Sequence, residues 1–372
     1  MKVTFISNFH NHHQMQLCDA LIQKTENQFT FIATEKISDE RLTLGYRDMN
    51  RYPYVLRSYE DEASVIDDVI MDSDVVIYGS APHKMIEKRL KAGKLTFAYF
   101  ERIYKKKPGF LKFIARFYVN FKLFGRYSSF YLLAASAYSA SDFAKTGTFI
   151  GKAYKWGYFP LKKVYENPEE VLRKKNPVKI LWCGRLIDWK HPEKCITLAK
   201  ALKQQNLAFE INLIGSGEMM ASLEETINRE GLSDCVRLLG STSPEEVRTC
   251  MEESSVFLFT SDRNEGWGAV LNESMNSLCA VVANKAIGSV PFLLENGENG
   301  LIYEDGDDAM MIQCVERLLR DRETRERFGL RAYETIQNDW NAESAADRLI
   351  ELSKALLKGE DVSFTDGPCS KV

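Results

Sequence analysis

The chain has 372 residues, 45% of them hydrophobic, which is more than one ordinary core takes up and suits two domains of roughly 150 to 180 residues with a cleft between them. Its 49 basic and 52 acidic residues leave a net charge of -3, so the whole-molecule field does not suit nucleic acid and any electrostatic partner must be local. Eight cysteines (Cys18, Cys183, Cys195, Cys235, Cys250, Cys279, Cys314, Cys369) show neither a CxxC pair nor His-rich spacing, which argues against a zinc site or a disulfide framework and for a reducing compartment.

In chain order, Met1 to Ser7 is a short apolar run ahead of polar Asn8 and His10; it lacks the apolar core of a signal peptide and reads as a first strand. β-rich runs follow at Thr30–Thr34, Asp74–Gly79 and Leu95–Phe100, then at Val178–Cys183, Phe209–Ile214, Cys235–Leu239, Ser255–Thr260 and Ala280–Ala283, each trailed by a helical pattern. Apolar strands alternating with amphipathic helices predict parallel sheets covered on both faces, hence two doubly wound α/β domains. The longest apolar candidate, Tyr131 to Tyr138, falls far short of the roughly 18 to 20 residues that span a bilayer. The first domain is expected over 1–168 and the second over 176–340, with charged Lys162 to Asn176, ahead of Pro177, as linker. The pattern from Ala342 to Leu357 places Ala346, Leu349, Ile350, Ser353, Leu356 and Leu357 on one helix face that needs a groove, and the tail 359–372 is expected to be flexible.

Between Arg102 and Arg126 lie eight basic residues (Arg102, Lys105, Lys106, Lys107, Lys112, Arg116, Lys122, Arg126) and no acidic one. Phe110, Phe113, Ile114, Phe117, Phe121 and Phe124 recur among them at helical spacing. An apolar face flanked by cations fits either docking on an anionic membrane surface, at about 1 kcal/mol per basic residue, or a core-facing helix with snorkelling side chains.

In parallel sheets ligands bind beyond the carboxyl ends of the strands, so the loops of the second half carry the weight. After Val178–Cys183 come Gly184, Arg185 and Lys190, a guanidinium and an ammonium that suit a diphosphate, unless they are ordinary solvated charges. After Phe209–Ile214 comes Gly215-Ser216-Gly217, a tight turn that lets a ligand approach the backbone. After Ser255–Thr260 comes Glu265-Gly266-Trp267-Gly268 and, eight residues beyond Glu265, Glu273. Eight helical residues rise about 12 Å, which would put one carboxylate at each end of an extended ligand; the alternative makes both simple helix-end charges. The DxD-like triplets Asp72-Ser73-Asp74 and Asp305-Gly306-Asp307 are poorly placed for a metal, the first at the wrong end of its strand and the second at a helix start.

Taken together in this order and spacing, Gly184, Arg185, Lys190, Gly215, Gly217, Glu265 and Glu273 resemble the donor domain of glycosyltransferase family 4, retaining enzymes of the GT-B fold, over Gly184 to about Trp340. The resemblance implies two Rossmann-like domains facing across a deep cleft, with the C-terminal helix (342–358) returning to the N-terminal domain. It implies that Arg185 and Lys190 neutralise the diphosphate, that Glu265 contacts the donor sugar and that Glu273 holds the ribose. Gly215, Gly217, Gly266, Trp267 and Gly268 would complete the donor site. It further implies a hexosyltransferase-type enzyme working by same-face transfer, with a nucleoside-diphosphate sugar as co-substrate, no cofactor and no metal. The chain departs from the family near Leu278 and Ala280, where Gly and Pro are usual, and at Phe292, where a Glu is usual.

The opening loop Asn8-Phe9-His10-Asn11-His12-His13-Gln14 resembles a bacterial surface-polysaccharide subgroup. Its histidines are expected at the cleft, hydrogen-bonding sugar hydroxyls or the diphosphate, with helix capping by Asn11 as the alternative. Glu101 stands where many relatives carry a cleft His; it either orients the acceptor or forms a surface pair with Arg102. The resemblance implies transfer to a lipid-linked glycan during bacterial surface-polysaccharide assembly, at the inner face of the cell membrane. An epimerase or phosphorylase of the same fold and an inert nucleotide-sugar-binding protein are the alternatives. No motif for a pyridoxal phosphate lysine favours a phosphorylase, and the joint presence of Arg185, Lys190, Glu265 and Glu273 disfavours the inert protein.

Overall fold

The apolar runs Val3–Ser7 and Ser254–Phe259 are buried along their whole length, as strands covered on both faces must be. In the computed structural model, which describes residues 1–38, 47–105, 109–360 and 362–372 (110 and 112 as backbone only), such runs build two separate parallel sheets. One unit comprises Met1–Leu161 and Trp340–Val372, the other Lys162–Asp339.

In the first unit, β1 (Val3–Ser7), β2 (Phe29–Ala33), β3 (Val55–Arg57), β4 (Val75–Tyr78), β5 (Thr96–Phe100), β6 (Phe130–Ala134) and β7 (Ala153–Lys155) lie in the order β3-β2-β1-β4-β5-β6-β7. In the second, β8 (Asn176–Cys183), β9 (Glu210–Ile214), β10 (Val236–Gly240), β11 (Ser254–Phe259), β12 (Ala280–Asn284) and β13 (Leu301–Tyr303) lie in the order β10-β9-β8-β11-β12-β13. Each sheet therefore reverses its winding once, at β1/β4 and at β8/β11, and the crevice for a ligand opens at the carboxyl ends of those pairs. These are the two doubly wound domains of the GT-B fold. β3, β7 and β13 carry no readable alternation because each is three residues long, and β6 merges into an apolar run that suits a buried helix equally well.

The amino ends of the strands are closed by buried cations. Arg89 is fully buried and donates to the carbonyls of Ile70 (2.7 Å), Ser73 (2.7 Å), Asp74 (2.9 Å) and Leu95 (2.7 Å), tying the starts of β4 and β5. Asp74 belongs to the same end, accepting from the Lys2 amide at 2.8 Å. In the second unit Lys175 donates to the carbonyls of Met251 (2.7 Å) and Ser254 (2.9 Å). The segment read as a linker is thus built structure, with a helix over Pro168–Lys174 capped by Asn167 and a buried lysine behind it.

The helix Ala342–Lys358 packs on the helix His12–Lys24, where Lys24 Nζ donates to Asp347 at 2.8 Å. Its buried stripe runs through Ala342, Ala345, Ala346, Leu349, Leu352 and Ser353, whereas Leu357 is 51% exposed: the face is rotated from the one read in the sequence. The tail is not loose. Beyond Gly359 the chain folds back antiparallel to β7, with the Cys369 amide donating to the Lys155 carbonyl (2.8 Å) and the Lys155 amide to the Ser370 carbonyl (2.7 Å). This contact covers the sheet edge and buries Cys369.

His10, expected to face a ligand, is instead a core residue with no exposed surface. Its ring sits 4.8 Å from that of Phe31, its Nε2 meets the Tyr54 hydroxyl at 2.9 Å, and its amide donates to Asn50 Oδ1 at 2.8 Å. Burial lowers its pKa to about 4, and a backbone hydrogen bond at Asn11 opposes this more weakly. A neutral-only histidine stabilises the fold above its unfolded pKa of about 6.5, and that stability is lost as pH falls toward 4, because the unfolded chain takes up the proton first. Denaturant titrations at pH 7 and 4.5 should show a loss on the order of 2–3 kcal/mol in the wild type that is absent from His10→Gln. An equal loss in both proteins would remove His10 as its source.

Candidate active site

Lys190 and Glu265 are 75 residues apart in sequence and form a direct ion pair, Lys190 Nζ to Glu265 Oε2. They meet because β8 and β11 are neighbours and each residue follows the carboxyl end of its strand. The loops are fastened to each other. Thr260 Oγ1 donates to the Lys190 carbonyl (2.7 Å) and accepts from Trp182 Nε1 (2.8 Å), and the Asp262 amide donates to the Trp189 carbonyl (3.0 Å). His191 turns the chain at φ 51° and its Nδ1 meets Glu193 at 2.8 Å. Ser261 Oγ adds a bond to Glu265 Oε2 at 3.0 Å, a partner that no sequence motif announces. The carboxylate is 8% exposed as a residue, and the Lys190 side chain 13%, so both charges are held in fixed positions with little water around them.

Arg185 is exposed, its guanidinium carbon 5.8 Å from the Trp189 ring centroid, and no carboxylate among the described residues pairs with it. The Lys190 ammonium lies 4.7 Å from the same ring, so Trp189 carries both cations on one indole. Gly215 and Gly217 have a packing role that the sequence did not announce. A Cβ at Gly215 would overlap the Gly184 carbonyl and one at Gly217 the Leu186 carbonyl. The turn therefore admits the neighbouring loop, fastened by the Leu186 amide to the Ser216 carbonyl (2.8 Å), and positions Arg185 indirectly.

After Glu265 the chain is a loop until the helix Val270–Asn276, so the interval to Glu273 is not one continuous helix. The loop is pinned by the Gly288 amide on the Glu265 carbonyl and the Ser289 amide on the Trp267 carbonyl, both at 3.3 Å. Gly266 is buried within it, and Gly268 takes φ 88° against the Phe259 ring. Trp267 is not a ligand platform: it is 1% exposed, with its indole N–H on Asn272 Oδ1 at 2.9 Å and its ring against Phe292. Glu273 is partly buried with no hydrogen-bond partner on its carboxylate among the described residues, and burial pushes its pKa up, partly countered by Arg248. Arg248 was not singled out by any sequence signal; it anchors the helix end by donating to Asn276 Oδ1 (3.0 Å) and Ser277 Oγ (2.9 Å). Leu278 adopts φ 60°, a left-handed backbone that a glycine would take without strain.

In the first unit, Asn11 caps the helix His12–Lys24 through the His13 amide (3.0 Å). His12 is exposed, its ring tilted 45° against that of His13 at 3.9 Å, and the His13 ring stacks on that of Tyr158 at 5.7 Å. The Tyr158 hydroxyl donates to Glu101 Oε1 at 2.6 Å, and Lys105 Nζ lies 3.8 Å from Glu101 Oε2. Glu101 thus joins His12 and His13 at the carboxyl ends of β1 and β5, and the Arg102 guanidinium lies over the Tyr138 ring at 4.4 Å. Tyr158, after β7, was invisible in the sequence.

The helix Phe110–Phe124 is held at one end by Phe124, packed on Phe100, Phe130 and Phe149. Asn120 is buried and Phe113 packs on Tyr104, but Leu111 is 80% exposed and Tyr118 65%, with Ile114, Phe117 and Phe121 exposed beside Arg116 and Lys122. The expected patch includes Lys106 and Lys107, which lie outside the described residues, as does the Lys112 side chain. Among the described residues no helix is long and apolar enough to cross a membrane.

Residues 164–335 match the family model "Glycosyl transferases group 1". The amylovoran biosynthesis glycosyltransferase AmsK of Erwinia amylovora is 29% identical over 185 residues, covering 48% of this chain and 45% of the relative. The putative colanic acid biosynthesis glycosyltransferase WcaL of Salmonella typhimurium is 27% identical over 186 residues, 48% of this chain and 46% of that protein. The chain matches about half the length of these curated relatives. Among solved structures, Anabaena HepE in complex with UDP superposes with a TM-score of 0.68 at 16% identity, over 95% of this chain and all (100%) of that one. Arg185, Lys190, Glu265 and Glu273 all lie within the stretch that matches this family model.

Proposed function

We propose that the protein is a retaining glycosyltransferase of family 4, which moves a sugar from a nucleoside-diphosphate donor to a lipid-linked glycan acceptor during bacterial surface-polysaccharide assembly. The observation that carries this reading is the Lys190–Glu265 pair, set at the β8/β11 reversal with the unpaired Arg185 beside it. Names of relatives matched over half their length, in amylovoran and colanic acid biosynthesis, support the polysaccharide setting, and the UDP held by HepE makes uridine the first base to test.

In this reading the diphosphate rests on Arg185 and Lys190, and Glu265 keeps the ammonium in place while facing the donor sugar. The bond from the anomeric carbon to the diphosphate oxygen breaks, its electron pair leaving with the phosphate, where both cations stabilise the growing charge. The acceptor oxygen bonds the same face of that carbon, and its proton passes to the departing phosphate oxygen. Protein cations supply the stabilisation a divalent ion gives elsewhere, so no metal takes part. Glu273, partly desolvated, accepts hydrogen bonds from the ribose hydroxyls. Glu101, held by Tyr158, orients the acceptor together with His12 and His13. The helix Phe110–Phe124 docks its open apolar side, flanked by Arg116 and Lys122, on the anionic cytoplasmic leaflet, where the acceptor is presented.

Lys190→Ala should lower kcat/KM by about 30- to 1000-fold, equivalent to about 2–4 kcal/mol of transition-state stabilisation; undiminished turnover would remove Lys190 from the site. Turnover should survive EDTA, and abolition with rescue by Mn²⁺ would overturn the metal-free assignment. Exchanging Arg116 and Lys122 for Glu should release the protein from anionic liposomes in sedimentation assays, whereas unchanged binding would sink the docking assignment.

A further inference from the structure

The second unit contains a cavity of about 220 Å³ at the amino ends of β8 and β11, lined among others by Arg173, Lys175, Arg322, Arg325 and Glu326. Six residues of strand, roughly 20 Å at 3.3 Å each, separate this end of the sheet from the end that carries Lys190. Single waters need only about 10–15 Å³, so the space accommodates a polyatomic ligand. Four cationic side chains face one carboxylate, and that carboxylate is already engaged, with Arg322 Nε donating to Glu326 at 2.7 Å. Asp321, nearby in the chain, is occupied in capping the Thr324 amide at 3.0 Å.

Arg325 carries the argument. It is 5% exposed, and its Nη1 donates to the carbonyls of Leu318 (2.6 Å) and Leu319 (3.3 Å) at the end of the helix Asp308–Arg320. No described group accepts from its Nε or Nη2, the edge of the guanidinium that grips an oxyanion in bidentate fashion. Burial weakens its hold on the proton, and the nearby Glu326 and Asp321 carboxylates offset this only in part. Lys175 adds charge to the wall while its ammonium is spent on the Met251 and Ser254 carbonyls. Arg173 and Arg322 stand exposed at the rim.

We infer that this cavity binds a small soluble phosphate, with Arg325 as its fork and Arg173 and Arg322 as rim cations, at a site separate from the one built on Lys190. The test uses the full chain and inorganic phosphate, compared with chloride at equal ionic strength. The melting temperature of the wild type should rise by a few degrees with phosphate concentration. Lys190→Ala should show the same rise, while Arg173→Gln/Arg322→Gln, which alters only exposed side chains and leaves Arg325 in place, should lose most of it. Loss in Lys190→Ala with retention in the double variant would place phosphate at the other end of the sheet and overturn the inference. No rise in the wild type would overturn it equally. Neither result bears on transferase activity, which is read separately from the Lys190→Ala kinetics.

Discussion

The contact between Lys190 and Glu265 sets the geometry of the second unit's carboxyl end. Two charges that are mostly out of water must be paired or they are costly, and each is carried on a loop that had many other conformations open to it. Their meeting is therefore enforced from several sides. Thr260 and Asp262 bind the β8 loop to the β11 loop, and Gly215 and Gly217 let the β9 turn close over Gly184 and Leu186. A side chain at either glycine would push the Arg185 loop away and loosen the pair. The outcome is a set of charges held in place by the fold itself, the preorganisation on which the proposed function relies.

Each sheet divides its labour between its two ends. At the amino ends, Arg89 and Lys175 are spent on carbonyl oxygens and hold strands together. At the carboxyl end of the second sheet, side chains are left with capacity to spare: among the described residues Arg185 has no carboxylate partner and Glu273 no hydrogen-bond partner on its acid group. The cavity around Arg325 departs from this rule, since it combines a helix-capping guanidinium with an unused edge at an amino end.

The first unit distributes its polar groups with the same economy. Of the three histidines in the opening loop, His10 is consumed by the core through Phe31 and Tyr54, while His12 and His13 remain beside Tyr158 and Glu101. Elsewhere in the same unit the polarity is inverted. The helix Phe110–Phe124 contributes Phe124 to the core and leaves Leu111, Ile114, Phe117 and Phe121 in water, an arrangement that is unfavourable unless something covers it.

Much of this was legible in the chain itself. Strand positions such as Val3–Ser7 and Ser254–Phe259 follow from unbroken apolar runs, and the candidate donor residues from the ordered spacing of Arg185, Lys190, Glu265 and Glu273, because both are local properties of sequence. What the sequence could not supply was direction and partnership. Trp267 and His10 look like ligand groups in a string of letters, yet packing turned both inward. Tyr158, Ser261 and Arg248 carry no motif, and they acquire roles only because the sheet order brings them next to Glu101, Glu265 and Glu273. The tail looked featureless until β7 offered it an unpaired edge. Composition and spacing determined which elements form and which residues are chemically equipped; tertiary packing decided which of them keep a free face, because burial depends on neighbours distant in sequence.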